Sequence, residues 1–282
     1  MLLSVRVARS TSAAHERTSV RQKRHGLRLG AILYFLIPAS MFPLALATGG
    51  DLGDVLHKGE LKFALTGQYP PFSFIDASGN LQGFDVDIGN GIAKRLGVAP
   101  APVTTAWDGI IGGLLAGKYD AIIGSMAITN ERLKAVDFSD SYYRSGAQLF
   151  VPSRSTAQSI DQLKGKLIGV TLGETYESWL RANKPEVGLR TYKGLPAILL
   201  DLQNKRIDGF VADKIAGLIT IRQRGLDVKP AGELLYAETM GIAVRKDSPL
   251  LKAAINKALG ELVSDRTYGF IGDKWLGTAA IR

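Results

Sequence analysis

The pattern of this chain predicts an α/β fold: two units with largely parallel sheets, preceded by a leader that belongs to neither. Short apolar runs of strand character alternate with stretches of helical period over most of the length. Gly97 falls just past the end of one helical stretch and Pro196 in the first turn of another. A basic stretch followed by an uncharged apolar one opens the chain and closes on Ala45-Leu46-Ala47.

That opening is the secretory pattern. Arg21-Gln22-Lys23-Arg24-His25-Gly26-Leu27-Arg28 precedes an apolar run from Leu29, and the A-x-A ending places cleavage after Ala47. Residues 29–50 carry no charge and are also long enough for a membrane anchor, but Pro38 and Pro43 interrupt them and small residues end them. Residues 1–47 are therefore read as a signal peptide.

Elements follow in order from there. Residues 61–65 (LKFAL) read as a strand, and 84–96 as a helix with Ile88, Ile92 and Leu96 on one face and Gly97 just past its end. Residues 102–106 form a short strand, 107–116 a helix and 121–124 a buried strand. Thr129-Asn130-Glu131 then turns into a short helix. The second half repeats the theme with strands at 167–170, 189–192 and 210–212. Helices follow them at 175–182, 196–204 (with Pro196 in its first turn) and 214–223. A strand at 239–244, a helix at 249–263 and a shorter helix ending near Trp275 complete the chain. No low-complexity linker separates the halves, so crossings near 145–149 and 236–241 are expected to act as hinges rather than tethers.

Composition removes several function classes. Of the formal charge of +9, seven basic residues against Glu16 place +6 in residues 1–47, which leaves +3 over the other 235 residues. That is too little to track a phosphate backbone, so no nucleic-acid partner is expected. Cysteine is absent, which rules out disulfides and thiolate chemistry. Of the three histidines only His57 lies beyond the leader, so a multi-histidine metal site is excluded. No metal or cofactor is expected. Gly112-Gly113-Leu114-Leu115-Ala116-Gly117-Lys118-Tyr119 nearly spells a phosphate-binding loop, but Tyr119 replaces the Ser or Thr and the segment lies at a helix end.

A series of motifs then falls in a recognisable order. LKFALTGQYPPFSF (61–74) is followed by GFDVDI (83–88), WDGII (107–111), KYDAII (118–123), ITNER (128–132) and VDFSDSYY (136–143). LKGKLIGV (163–170), RIDGFVADK (206–214) and GIAVRK (241–246) complete it. In order and spacing the chain resembles the polar amino-acid-binding proteins of bacterial ABC importers, the family 3 solute-binding proteins, over about residues 58–277. The resemblance implies the type II periplasmic binding-protein fold: two α/β lobes joined by two crossover strands, closing over a ligand by hinge motion. By analogy lobe 1 is 58–144 plus 237–282 and lobe 2 is 145–236. The implied protein is a monomer in the periplasm that passes an amino acid, with cationic and polar ones as the candidates, to a membrane permease, the ATPase being a separate subunit.

The resemblance also assigns residues. Arg132 matches the arginine that holds the ligand α-carboxylate, a task suited to a guanidinium fork. Ser125 and Ala127 belong to the turn whose backbone N–H groups surround that carboxylate, and Ala127 offers its backbone alone. Thr175 is positioned to donate to the carboxylate from the second lobe, although a threonine opening a helix is equally an N-cap. Asp213 matches the acceptor for the ligand ammonium; an aspartate there also suits a cap. Thr66 departs from the family, many of whose members carry a second aspartate at this position. Tyr69 and Trp107 match the aromatics that sandwich the ligand side chain. Gln68 and Glu174 are candidate selectivity residues.

Two rival readings remain. Cyclohexadienyl dehydratases share this fold and a Thr-Gly-x-Tyr motif like Thr66-Gly67-Gln68-Tyr69, but Ala216 stands where they carry a catalytic carboxylate. An arogenate or prephenate dehydratase is thus the alternative, and no catalytic residue is expected. A sensory domain of the same fold is expected to continue into a membrane or signalling segment after the last helix.

Overall fold

The computed structural model describes residues 51–277, and the leader, its cleavage site and the last five residues lie outside them. Among the described residues no helix is long and apolar enough to cross a membrane.

The elements run in the following order. Helix α1 (Leu52–Lys58) leads through Gly59 into β1 (Glu60–Leu65), then three short strands, β2 (Gln68–Tyr69), β3 (Ser73–Ile75) and β4 (Leu81–Gln82). Next come α2 (Phe84–Arg95), β5 (Ala99–Thr104), a 3-10 turn at Trp107–Gly109 continued by α3 (Ile110–Leu115), and β6 (Ala121–Ala127). Helix α4 (Asn130–Ala135), β7 (Val136–Phe138) and β8 (Tyr143–Pro152) complete the first half. The second half holds β9 (Leu167–Thr171), α5 (Thr175–Asn183), β10 (Gly188–Tyr192), α6 (Leu195–Gln203), β11 (Gly209–Asp213) and α7 (Lys214–Arg224). Strand β12 (Val228–Arg245), α8 (Pro249–Ser264) and α9 (Thr267–Trp275) end it.

Nearly every predicted element is present, but the expected pair of sheets is one continuous sheet. Its order is β10-β9-β11-β8-β12-β6-β1-β5, with β7 paired to β12. The two ends are parallel as expected: β1 lies between β5 and β6, and β9 between β10 and β11. The middle is antiparallel, because β8 and β12 both cross from one end to the other and pair with each other. The segment expected to be a short strand at 239–244 is therefore the end of an 18-residue strand. Within it the two expected crossings are direct partners, with Tyr236 opposite Ala147 and Glu238 opposite Ser145. That pairing is interrupted between Ala231 and Tyr236, where β12 bulges against β8.

Three apolar clusters hold helices on this sheet. One runs from Phe63, Ile88 and Ile92 through α8 (Ile255, Leu259) to Phe150, Ile198 and Phe210. The second packs α5 (Tyr176, Leu180) on Leu149, Val170 and Val211, and the third packs Trp107, Ile110 and Leu114 on Ile122 and Met126. Gly89 brings α2 down onto Phe63, whose ring a Cβ at that position would meet at 2.4 Å. As predicted, Gly97 past the end of α2 takes the left-handed conformation (φ +74°).

Candidate functional site

In a parallel sheet the loops after the strand carboxyl ends converge, and polar groups placed there face a common crevice. Most sequence-predicted site residues lie at such an end, while Gln68 and Tyr69 form β2 of the small separate sheet and Arg132 stands on α4. Thr66 follows β1, Trp107 follows β5, and Ser125 and Ala127 close β6 just before Arg132 on α4. From the other end of the sheet, Glu174 and Thr175 follow β9, and Asp213 ends β11.

Arg132 reaches across the crevice. Its Nη2 lies 3.8 Å from Glu174 Oε2, and only 10% of its side chain is exposed. Nη1 donates to the Ala127 carbonyl at 3.0 Å, and the guanidinium carbon sits 5.5 Å from the centroid of the Trp107 ring. Trp107 and Ala127 thus fix the cation, Ala127 through its carbonyl rather than the expected N–H and Trp107 through its ring face. Thr129 caps α4 by accepting from the Arg132 N–H.

Asp213 is fully buried. Its Oδ1 accepts from the Ala216 N–H at 2.9 Å and so caps α7, whereas Oδ2 has no partner. The capping role and a free acceptor therefore coexist on one carboxylate. Thr175 does not fill the capping role that its position allows: the N-cap of α5 is Glu174, so Thr175 is the first helical residue and its buried Oγ1 is left without a partner.

Ser125 is placed differently from expectation. Its backbone is left-handed (φ +57°), its N–H donates to Tyr142 Oη at 2.8 Å, and its Oγ donates to Asp85 Oδ2 at 2.7 Å. Tyr142 Oη in turn donates to Asp85 Oδ1 at 2.7 Å. Both polar groups of Ser125 are thereby engaged in a buried network beneath the crevice. Thr66 Oγ1 accepts from the Gln68 N–H at 3.2 Å.

The two sides touch at several points besides Arg132 and Glu174. Thr220 Oγ1 donates to the Pro70 carbonyl at 3.1 Å. Gly194 lies so close to Gln68 that a Cβ there would come within 2.7 Å of its carbonyl oxygen. Thr66, Gln68, Tyr69, Trp107 and Glu174 line a cavity of about 10 Å³, room for about one water molecule. Beyond Arg132 a wider cavity of about 670 Å³ is lined by Arg132, Thr175, Trp179, Tyr236 and Glu238. An apolar cavity of about 690 Å³ between α7 and β12, lined by Ile215, Leu218, Ile219 and Leu234, contains none of the predicted site residues.

Acidic groups crowd this region. Burial raises Asp213 to about 6 against the opposing pull of the Ser145 hydroxyl and the N–H groups that open α7, with Glu238 adding slightly to the rise. Burial raises Glu174 to about 7 against the opposing pull of Arg132. Glu238 is likewise raised by burial, and Tyr69 is pushed well up by burial and by Asp213 and Glu174.

Sequence reasoning did not include Glu238, Tyr236, Ser145 and Tyr143, all on the crossing strands. Each has a buried polar side-chain atom without a partner. The available signal was period-two spacing: Tyr143 with Ser145, and Tyr236 with Glu238, place polar groups on one strand face. Among the described residues no cluster of three or more His, Cys, Asp or Glu could hold a metal ion.

Comparison with known proteins gives a consistent result. Residues 61–278 match the bacterial extracellular solute-binding proteins, family 3. The chain is 36% identical over 251 residues to the L-cystine-binding protein TcyJ of Escherichia coli K12, covering 88% of this chain and 94% of that one. Among solved structures it is similar to an ancestral arginine-binding protein bound to glutamine (39% identity, TM-score 0.74, covering 78% of this chain and 98% of that one). It is also similar to the ancestral amino acid-binding protein AncCDT-1, a precursor of cyclohexadienyl dehydratase (32% identity, TM-score 0.75, covering 80% and 99%).

Proposed function

We infer that this chain, which belongs to the family 3 bacterial extracellular solute-binding proteins, is a periplasmic receptor that closes on an amino acid and delivers it to an ABC importer. It is a binding protein rather than an enzyme: its similar relatives are named as binding proteins. Ala216, three residues after Asp213, has no acid to offer as a dehydratase would require.

One observation carries the reading. A rigidly held guanidinium, Arg132, faces across the crevice toward Glu174, while Asp213 on the same far side keeps a buried oxygen without a partner. A zwitterion answers both needs, its carboxylate taking the fork of Arg132 and its ammonium taking Asp213 Oδ2. Glu174 is then the internal stand-in for the ligand carboxylate, and binding displaces it. Thr175 Oγ1 donates to the same carboxylate, Ala127 contributes through its carbonyl grip on Arg132, and Tyr69 and Trp107 form apolar walls. Thr66, Gln68 and Glu174 set side-chain preference. Ser125 acts from beneath, through the Asp85 and Tyr142 network.

The part of the crevice lined by Thr66, Tyr69 and Trp107 is too tight to admit an amino-acid side chain as it stands, so entry there requires its sides to part. We assign lobe 1 to 58–144 and 237–282 and lobe 2 to 145–236, hinged where β8 and β12 pair. Residues 1–47 are the signal peptide, and the mature monomer docks on the permease.

The test is calorimetry on the mature chain with the L-amino acids, L-cystine included. A ligand should bind at one site, and Arg132→Ala should weaken it by about 2–5 kcal/mol, the cost of stranding a charged partner. Undiminished binding in that variant would remove the assignment.

A further inference from the structure

Resting on the reading above, we propose that Glu238, on the crossing strand β12, is a specificity-determining residue that accepts a second cationic nitrogen carried by the ligand. The backbone of Glu238 belongs to the ribbon joining the two sides, opposite Ser145 of β8. Its side chain lines the wider cavity together with Arg132 and Thr175. Glu238 Oε2 is buried and has no hydrogen-bond partner. Glu238 as a whole is half-buried, and the hydroxyls of Thr175 and Tyr176 on α5, together with the positive charge of Arg132, favour its charged form without completing Oε2. Arg132 directs its ion pair to Glu174.

The charges at the site do not balance for a simple zwitterion. Three carboxylates, Asp213, Glu174 and Glu238, act on one another there, and Arg132 is the cation among them. Lys193 lines the small cavity but is exposed. A ligand whose carboxylate binds Arg132 and whose ammonium binds Asp213 leaves Glu174 and Glu238 uncompensated. Buried carboxylates are tolerated when a cation and its N–H groups complete them. A second protonated nitrogen supplies both charge and donors, either on a basic side chain or on a second amino-acid head. Tyr236, two residues earlier on the same face, packs its ring 5.5 Å from Trp179 and 6.4 Å from Tyr176. That contact holds this stretch of strand against α5 and aims Glu238 inward.

Calorimetry with ligand pairs that differ in the second charge tests this. L-Arginine is compared with L-citrulline, its uncharged near-isostere. L-Cystine is compared with the mixed disulfide of L-cysteine and 3-mercaptopropionate, which lacks the second ammonium. The wild type should prefer the charged member of at least one pair by about tenfold or more, and the pair that does so tells a basic side chain from a second amino-acid head. Glu238→Gln should collapse that ratio to near one while leaving the uncharged member within about threefold. Glu238→Asp should retain part of the preference, which a loss of folding would not. A wild type without charge preference, a ratio unchanged in Glu238→Gln, or an equal loss for both members of the pair would overturn the proposal. Failure of the receptor reading looks different: no amino acid binds the wild type, or Arg132→Ala binds normally.

Discussion

On the wall of the crevice built by β1 and β6, polar side chains are satisfied inside the protein, whereas on the wall built by β9, β11 and the crossing strands they are not. Asp85, Ser125 and Tyr142 complete one another on the first wall, and Arg132 is braced by Ala127 and Trp107. On the second wall Asp213, Thr175, Ser145, Tyr236 and Glu238 each leave a buried atom without a partner. Unpaired buried polar atoms are costly, and a protein retains them where something else is to complete them. The difference separates a scaffold that positions one cation from a surface that awaits a ligand. Substitutions on the first wall should therefore weaken folding, and those on the second should weaken binding.

The largest expected effect is on the scaffold. Tyr142→Phe removes a donor to Asp85 and the acceptor of the Ser125 N–H, and chemical denaturation should show a loss of about 3 kcal/mol. Affinity should change little by comparison; a loss of affinity without a loss of stability would erase the distinction between the walls. Next comes Asp213→Asn. Asparagine still caps α7, so the cost should appear in binding, about 2 kcal/mol by calorimetry, with ligand-free stability unchanged or raised. Third, Gly194→Ala puts a methyl group against Gln68 when the crevice shuts. It should cost the closed state about 1 kcal/mol, visible as weaker binding and a larger radius of gyration for the ligand-bound protein.

The smallest effect concerns pH. Asp213 and Glu174 are raised to about 6 and about 7 in the folded chain, so each holds its proton more tightly there than when unfolded. The stability this confers is complete below the ordinary carboxylate range and is lost as pH rises through about 6 to 7. The ligand-free protein should thus melt a few degrees higher at pH 5 than at pH 8. A bound cation favours the charged carboxylates and should flatten that slope. Equal slopes with and without ligand would mean that these carboxylates do not meet it.

Much of this was readable from residues alone, for local reasons. Ile88 and Ile92 at helical spacing, Gly97 beyond them and Pro196 at a helix start each dictate their own neighbourhood, and the elements follow. Helix α1 and strands β2 to β4 went unseen because they are too short to show a period. Strand β12 was cut short because Pro230 and Gly232 interrupt its pattern, and its pairing with β8 spans most of the second half of the chain. In the site, the roles of Arg132, Trp107 and Asp213 follow from the family resemblance, and Glu174 and Thr175 from their place where a helix begins after a strand. Glu238 and Tyr236 carry no such local mark: a glutamate and a tyrosine two apart on a strand look solvent-facing until the chain folds back and α5 packs over them.

The bulge in β12 leaves one stretch of the connection between the two sides without backbone pairing. Ala231 faces Leu149 and Tyr236 faces Ala147, so Gln148 alone stands opposite the intervening loop. Its side-chain amide bridges the gap, Nε2 donating to the carbonyls of Ala231 and Leu149 at 3.1 Å and of Gly232 at 3.3 Å. Side-chain bonds swivel more freely than a ladder of backbone ones. A twist of the ribbon would therefore load this one amide before the backbone pairing on either side, like a flexure thinned at one point.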